Sequence, residues 1–177
     1  MKYEKVPFRI EKQFRLEGFD YSQNGYYFVT ICTHNKEKYF GEIKNDIVKL
    51  NQIGKIAFQN WVNILNHFSN ILLDEYIIMP DHIHGLLVVK NNDKNTINDC
   101  RNMPWHVPTE EDKFNKFSKS VSDSISIVIN HFKGSVKRQC NLMNYKFCWQ
   151  PRFHDRIIRS EKEYFAIKQY IKDNPRN

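Results

Sequence analysis

The chain has 177 residues, enough for one domain and short for two. Hydrophobic residues make up 41% and charged residues 27%, the balance of a water-soluble globular protein with an ordinary core. No apolar stretch approaches the roughly 20 residues that span a bilayer, and the charged start (Met1-Lys2-Tyr3-Glu4-Lys5) lacks the apolar core of a secretion signal, so a cytoplasmic, non-membrane protein is expected. Cys32, Cys100, Cys140 and Cys148 show no CxxC spacing, which argues against a disulfide scaffold or a cysteine-zinc site.

The net charge of +7 is unevenly distributed. Residues 113–177 carry 14 Lys and Arg against 5 Asp and Glu; residues 1–112 carry 13 against 15. Such asymmetry suits an anionic partner, nucleic acid first and membrane surfaces second, although a solvated basic surface would read the same way. The basic half is also rich in aromatics, including Phe132, Trp149, Phe153, Phe165 and Tyr170. Interleaved cations and rings suit single-stranded nucleic acid, where phosphates pair and bases stack. Many of these rings must nevertheless be core.

In chain order, Tyr26 to Thr33 is aromatic and β-branched and reads as a strand. Phe40 to Leu50 reads as a hairpin turning at Asn45-Asp46. Asn51 begins a helix, with Ile53, Ile56, Ala57, Trp61, Ile64 and Leu65 at helical spacing. Ile71 to Met79 and His82 to Lys90 read as neighbouring antiparallel strands around Pro80-Asp81. Residues 91–117 are polar and aperiodic, a predicted flexible loop. Ser118 to about Arg138 is a helix that Gly134 is expected to kink or stop. Phe153 to Arg159 is a short strand, and Ser160 caps a last helix with Glu163 completing a capping-box pattern. This order predicts an α+β ferredoxin-like sandwich, an antiparallel sheet with helices packed on one face plus an inserted hairpin, as a single domain over 1–177.

Two constellations carry chemistry. His82-Ile83-His84 lies in a strand, where residues two apart point to one side, so both imidazoles can meet one divalent ion. Alone, an HxH pair is more often satisfied by local hydrogen bonds. Tyr170 and Asn174 are four apart on the last helix and share a face beside the Ile167/Ile171 stripe. A tyrosine can act as a covalent nucleophile, though a half-buried ring and a C-terminal Asn before Pro175 are the ordinary alternative.

MPDHIHGLLV (79–88), FKGSVKR (132–138), WQPRFHDRIIR (149–159) and EYFAIKQYIKDNP (163–175) together resemble the single-tyrosine HUH transposases, in particular REP-associated tyrosine transposases and their insertion-sequence relatives. HxH by itself is unspecific; HxH followed by WQxxFxDxxIR and YIxxNP is a specific set, and the resemblance spans about residues 20 to 175. It implies an enzyme that cuts and rejoins single-stranded DNA, typically with hairpin ends, through a 5′-phosphotyrosine. It places the nucleophile at Tyr170 and a Mg²⁺ or Mn²⁺ site at His82, His84 and Asn174. Tyr164 is the second tyrosine considered and is assigned to the core, since Lys168 four residues on is a poor ligand. Family members usually continue past the NP with a further element, whereas Asn177 follows closely here, which bears on DNA affinity and oligomeric state. Members include dimers and monomers, and a homodimer is compatible with the sequence.

Lys133, Lys137, Arg138, Arg152, Arg156 and Arg159 are the candidate phosphate contacts. Asp81 is expected to face away from the histidines, in a turn or capping role. Trp149 and Gln150 are expected to fix the loop before the last strand, and His154 and Asp155 have no assigned chemistry. Three other readings compete. A histidine-triad hydrolase needs a third alternate histidine at position 86, where Leu86 stands. A catalytically inactive nucleic-acid-binding protein of the same fold would bind DNA without nicking it. A metal-dependent hydrolase would cleave without a covalent intermediate.

Overall fold

The computed structural model describes residues 20–90 and 124–176. The predicted loop at 91–117 and the first residues of the helix predicted from Ser118 lie outside this range. Six strands are present: β1 (Gly25–Cys32), β2 (Gly41–Lys44), β3 (Ile47–Leu50), β4 (Ile71–Ile78), β5 (His82–Val89) and β6 (His154–Ile158). The helices are α1 (Gln52–Val62), the single turn α2 (Ile64–His67), α3 (Ile125–Leu142) and α4 (Glu161–Asp173). Strands β4, β5, β1 and β6 form one sheet in that spatial order, all pairs antiparallel. Two β–α–β units thus interleave, with β1 and β5 central, as in a ferredoxin-like sandwich.

Each face of the sheet is defined by strand parity. Tyr27, Val29 and Ile31 of β1 and Ile83, Leu87 and Val89 of β5 point to one face, where α1 and α3 close the main core. Trp61 of α1 lies edge-on to Phe132 of α3, with ring centroids 5.1 Å apart. Gly85 makes this possible: a Cβ there would collide with the Trp61 ring. Tyr26 and Phe28 of β1 and Leu86 of β5 point the other way, toward Ile167 and Ile171 of α4. Helices therefore cover both faces, rather than one as the sequence pattern suggested. The apolar stripe of α4 faces the side-chain set that the main core leaves out.

Local signals explain most boundaries. Asn45 (φ 52°) and Asp46 (φ 59°) take the left-handed conformations of a tight hairpin turn, as predicted. The Asn51 side chain accepts from Gly54 N–H (3.0 Å) and starts α1. That helix breaks at Asn63, which leaves Leu65 exposed. Ser160 caps α4 by accepting from Glu163 N–H (3.2 Å), but the Glu163 carboxylate reaches past the cap to Arg159 N–H (3.0 Å). Gly134 does not stop α3. The helix runs on to Leu142 because Val136 and Cys140 extend its buried stripe, and that burial outweighs the roughly 1 kcal/mol cost of a helical glycine.

Candidate active site

The site lies where the β4–β5 turn meets the last two turns of α4. His82 and His84 are on the face of β5 that looks toward α4, with ring centroids 4.5 Å apart. In β-sheet register, Cys32 stands beside His82 and Thr30 beside His84 on β1. Their carrier turn is held by neighbouring backbone. Thr33 N–H donates to Asp81 O (2.9 Å), the Thr33 hydroxyl donates to the same oxygen (2.8 Å), and Phe40 N–H donates to Pro80 O (2.9 Å).

Both imidazoles are oriented through Nδ1. Asp81 Oδ1 lies 2.6 Å from His82 Nδ1. An ionised carboxylate only accepts, so His82 Nδ1–H donates and Nε2 is left free. This corrects the expectation that Asp81 faces away. Asp81 belongs to the turn, where strand alternation does not apply. Thr30 Oγ1 lies 2.9 Å from His84 Nδ1, which again directs Nε2 outward. Thr30 escaped sequence reasoning because only the β1–β5 register reveals it.

His84 is 5% exposed and stacks on Phe28, with centroids 5.2 Å apart. Burial, then the neighbouring His82, push its pKa down to about 3, so it is neutral at physiological pH. Tyr170 Oη lies 3.3 Å from His84 Nε2, with the ring edge-on to both Phe28 and His84. His82, Tyr170 and the buried Asn174 line one cleft of about 610 Å³, whose far wall is Lys38 with Glu42 and Ile43 of β2.

The donor set suits a divalent cation. No cluster of three His, Cys, Asp or Glu side chains able to share a metal occurs among the described residues, so any third protein donor beside the two histidines would be of another kind. Asn174 offers a neutral amide oxygen to the same cleft as His82. Cys32 is a poor substitute: burial, then the Asp81 carboxylate, raise its pKa and keep it a thiol.

The helix that carries Tyr170 is pinned to edge strand β4. A β-bulge between Leu73 and Tyr76 presents Asp74 and Glu75. Asp74 takes the Tyr164 hydroxyl and Lys168 Nζ (2.6 Å), and Glu75 pairs with Lys172 (3.4 Å). Tyr164 packs against the second core with its hydroxyl committed to Asp74, in keeping with its assignment as a structural residue.

The six phosphate-contact candidates fall in different places, and none lines the cleft. Lys133 Nζ donates to the carbonyls of Gln150 and Arg152 (both 2.8 Å). Lys137 Nζ donates to Phe147 O. Both therefore brace the 147–152 loop, whose Trp149 Nε1 donates to Lys133 O (3.0 Å) and whose Gln150 N–H donates to Cys32 O (3.0 Å). Trp149 and Gln150 thus fix the loop as expected. Arg156 pairs with Glu163 of α4 (2.5 Å). Arg138, Arg152 and Arg159 are exposed. His154 pairs with Thr30 in register and so lies on the same sheet face as His84, two strands away.

The antiparallel α+β fold has a solved counterpart. The fold is shared with a REP-associated tyrosine transposase solved bound to a REP hairpin, at TM-score 0.56 and 16% identity, covering 92% of this chain and 70% of that one. A Deinococcus radiodurans structure provisionally described as a transposase aligns over 91% of this chain and 97% of its own at 15% identity, but its TM-score of 0.45 is too low to argue from. No family model matches the chain. In sequence, the chain is 33% identical over 165 residues to an uncharacterized protein of Haemophilus influenzae, covering 93% of this chain and 87% of that protein. The chain belongs to the family of that protein. No helix among the described residues is long and apolar enough to cross a membrane.

Proposed function

We propose that the protein is a metal-dependent single-stranded DNA endonuclease and strand transferase of the tyrosine transposase type, with Tyr170 as its nucleophile. The observation that carries this reading is the 3.3 Å approach of Tyr170 Oη to His84 Nε2, with His82 and Asn174 at the same cleft.

His82, His84 and Asn174 would hold the cation, Mg²⁺ or Mn²⁺, which when bound draws negative charge off a phosphate oxygen. Asp81 holds the His82 imidazole in the tautomer that ligation through Nε2 requires, and Thr30 orients the His84 ring. Phe28 fixes the planes of His84 and Tyr170 against each other. Tyr170 Oη attacks phosphorus in line and gives up its phenolic proton to solvent; a P–O(Tyr) bond forms and the P–O3′ bond breaks. The electron pair leaves on the 3′ oxygen, which takes up a proton. The 5′-phosphotyrosine keeps the ester's energy, so a second 3′-OH can reverse the step and join strands without ATP. The substrate class is single-stranded DNA with hairpin ends, and the fold neighbour bound to a REP hairpin supports that choice.

The test uses oligonucleotides from the flanks of the protein's own gene, labelled at either end, with Mn²⁺ and a denaturing gel. A protein adduct carrying the 3′ label, absent in Tyr170→Phe and His82→Ala, is the expected result. Cleavage without an adduct would instead identify a water-using hydrolase. Binding with neither would identify an inactive binding protein.

A further inference from the structure

We infer that Lys38 is the phosphate-binding cation of the cleft, holding the phosphodiester that Tyr170 faces. This rests on the reading of the site as a single-stranded DNA nuclease and adds a residue to it.

Three observations carry the inference. First, Lys38 is the one cation among the described residues that line the cleft with His82, Tyr170 and Asn174. Second, it is exposed and has no ion-pair partner among the described residues, whereas both acids of the same cleft are already engaged. Glu42 is 2.6 Å from Lys44, and Asp81 is 2.6 Å from His82. An anion entering the cleft therefore meets one uncommitted positive charge. Third, the segment carrying Lys38 is tied to the turn that carries the histidines. Thr33 and Phe40 on either side of it donate backbone N–H groups to Asp81 O and Pro80 O. The backbone around Lys38 is thus held beside the histidine turn.

The chemistry fits a phosphodiester. A lysine ammonium is a compact point charge on a flexible stem, able to follow a phosphate oxygen as the geometry at phosphorus changes. In a partly enclosed cleft its attraction for a phosphate exceeds that of a cation on an open face. Lys38 comes from the net-acidic first part of the chain, where the charge distribution gave no reason to look for it.

The test compares wild type, Lys38→Ala and Lys38→Arg in two assays. Binding of a single-stranded oligonucleotide is followed against salt in a Tyr170→Phe background, and Tyr170 adduct formation is followed under single turnover. The expected result for Lys38→Ala is a roughly tenfold or greater loss of adduct rate and a salt slope shallower by about 0.7, the value of one phosphate contact on a single strand. Lys38→Arg should restore the slope. Replacing the scissile phosphate by a neutral methylphosphonate should abolish the binding difference that Lys38→Ala makes, which a merely structural lysine would not do. An adduct rate within twofold of wild type together with an unchanged salt slope, or a binding difference that survives the methylphosphonate, would overturn the assignment. If wild type forms no adduct, the nuclease reading fails, and the salt slope and methylphosphonate comparison still decide whether Lys38 holds a phosphate.

Discussion

Asp81 Oδ1 sits 2.6 Å from His82 Nδ1, so the residue before the first histidine fixes which nitrogen that histidine presents. The ring of His84 is oriented by Thr30 from the neighbouring strand (2.9 Å). Orienting partners of this kind typically change metal affinity by roughly 10- to 100-fold. Asp81→Asn and Thr30→Val should each weaken Mn²⁺ binding by about that factor, read by titration calorimetry, with the far-UV spectrum unchanged. Affinity unaltered in both variants would mean that the histidines are not the ligands.

Tyr170→Phe should abolish covalent adduct formation while leaving the fold in place. The ring contacts to Phe28 and His84 survive the substitution, and the hydroxyl's approach to His84 Nε2 is long, at 3.3 Å. The stability cost should therefore stay within about 1 kcal/mol, measured by urea denaturation. Tyr164→Phe should show the opposite pattern. It leaves the nucleophile in place but strips Asp74 of a partner, so it should lower stability more than it lowers the yield of adduct.

The depressed pKa of His84 has a definite sign in metal-free protein. In the unfolded chain the imidazole takes up a proton near pH 6.5; in the folded chain it resists protonation down to about 3. The unfolded state binds more protons across that window, so falling pH favours unfolding. Folding stability contributed by neutral His84 is complete above about pH 6.5 and declines as pH drops toward about 3. The melting temperature of the metal-free protein should fall between about pH 7 and about pH 4, and His84→Asn should flatten the profile. An equally steep decline in that variant would place the proton uptake elsewhere.

Gly85→Ala tests the packing that supports the site from behind. Gly85 lies between His84 and Leu86 in β5, and a Cβ there would overlap the Trp61 ring. Trp61 is fully buried and cannot withdraw without disturbing Phe132. The substitution should cost about 1–3 kcal/mol, the usual range for overpacking a core, measurable by thermal or urea denaturation.

Asp74→Ala tests how α4 is registered on the sheet. It removes the carboxylate shared by Tyr164 and Lys168 and leaves Glu75–Lys172 as the remaining ion pair to that bulge among the described residues. Because Tyr170 is only two residues beyond Lys168, adduct formation should slow more than the modest loss of stability would explain. Equal loss of both would show that the bulge contributes stability alone.

Local signals of the chain determined most of the elements by themselves. Alternating apolar residues, the Asn51 and Ser160 caps and the Asn45-Asp46 turn act within a few residues of one another, so strands, helix starts and the hairpin were legible without a fold. So was the HxH pair, because strand periodicity alone puts His82 and His84 on one side. Its coupling to Tyr170 and Asn174 rested on resemblance, since no local rule relates a β5 histidine to an α4 tyrosine 86 residues away. The tertiary structure decided the rest. Strand order set α4 on the face opposite α1 and α3, and β1–β5 register brought Thr30 to His84. The turn geometry directed Asp81 back to His82, and the path of the 33–40 segment put Lys38 into the cleft while Lys133 and Lys137 went to loop carbonyls. Charge counts cannot make such distinctions. A lysine's role depends on whether its ammonium meets a carbonyl, a carboxylate or open space, and that is settled by contacts distant in sequence.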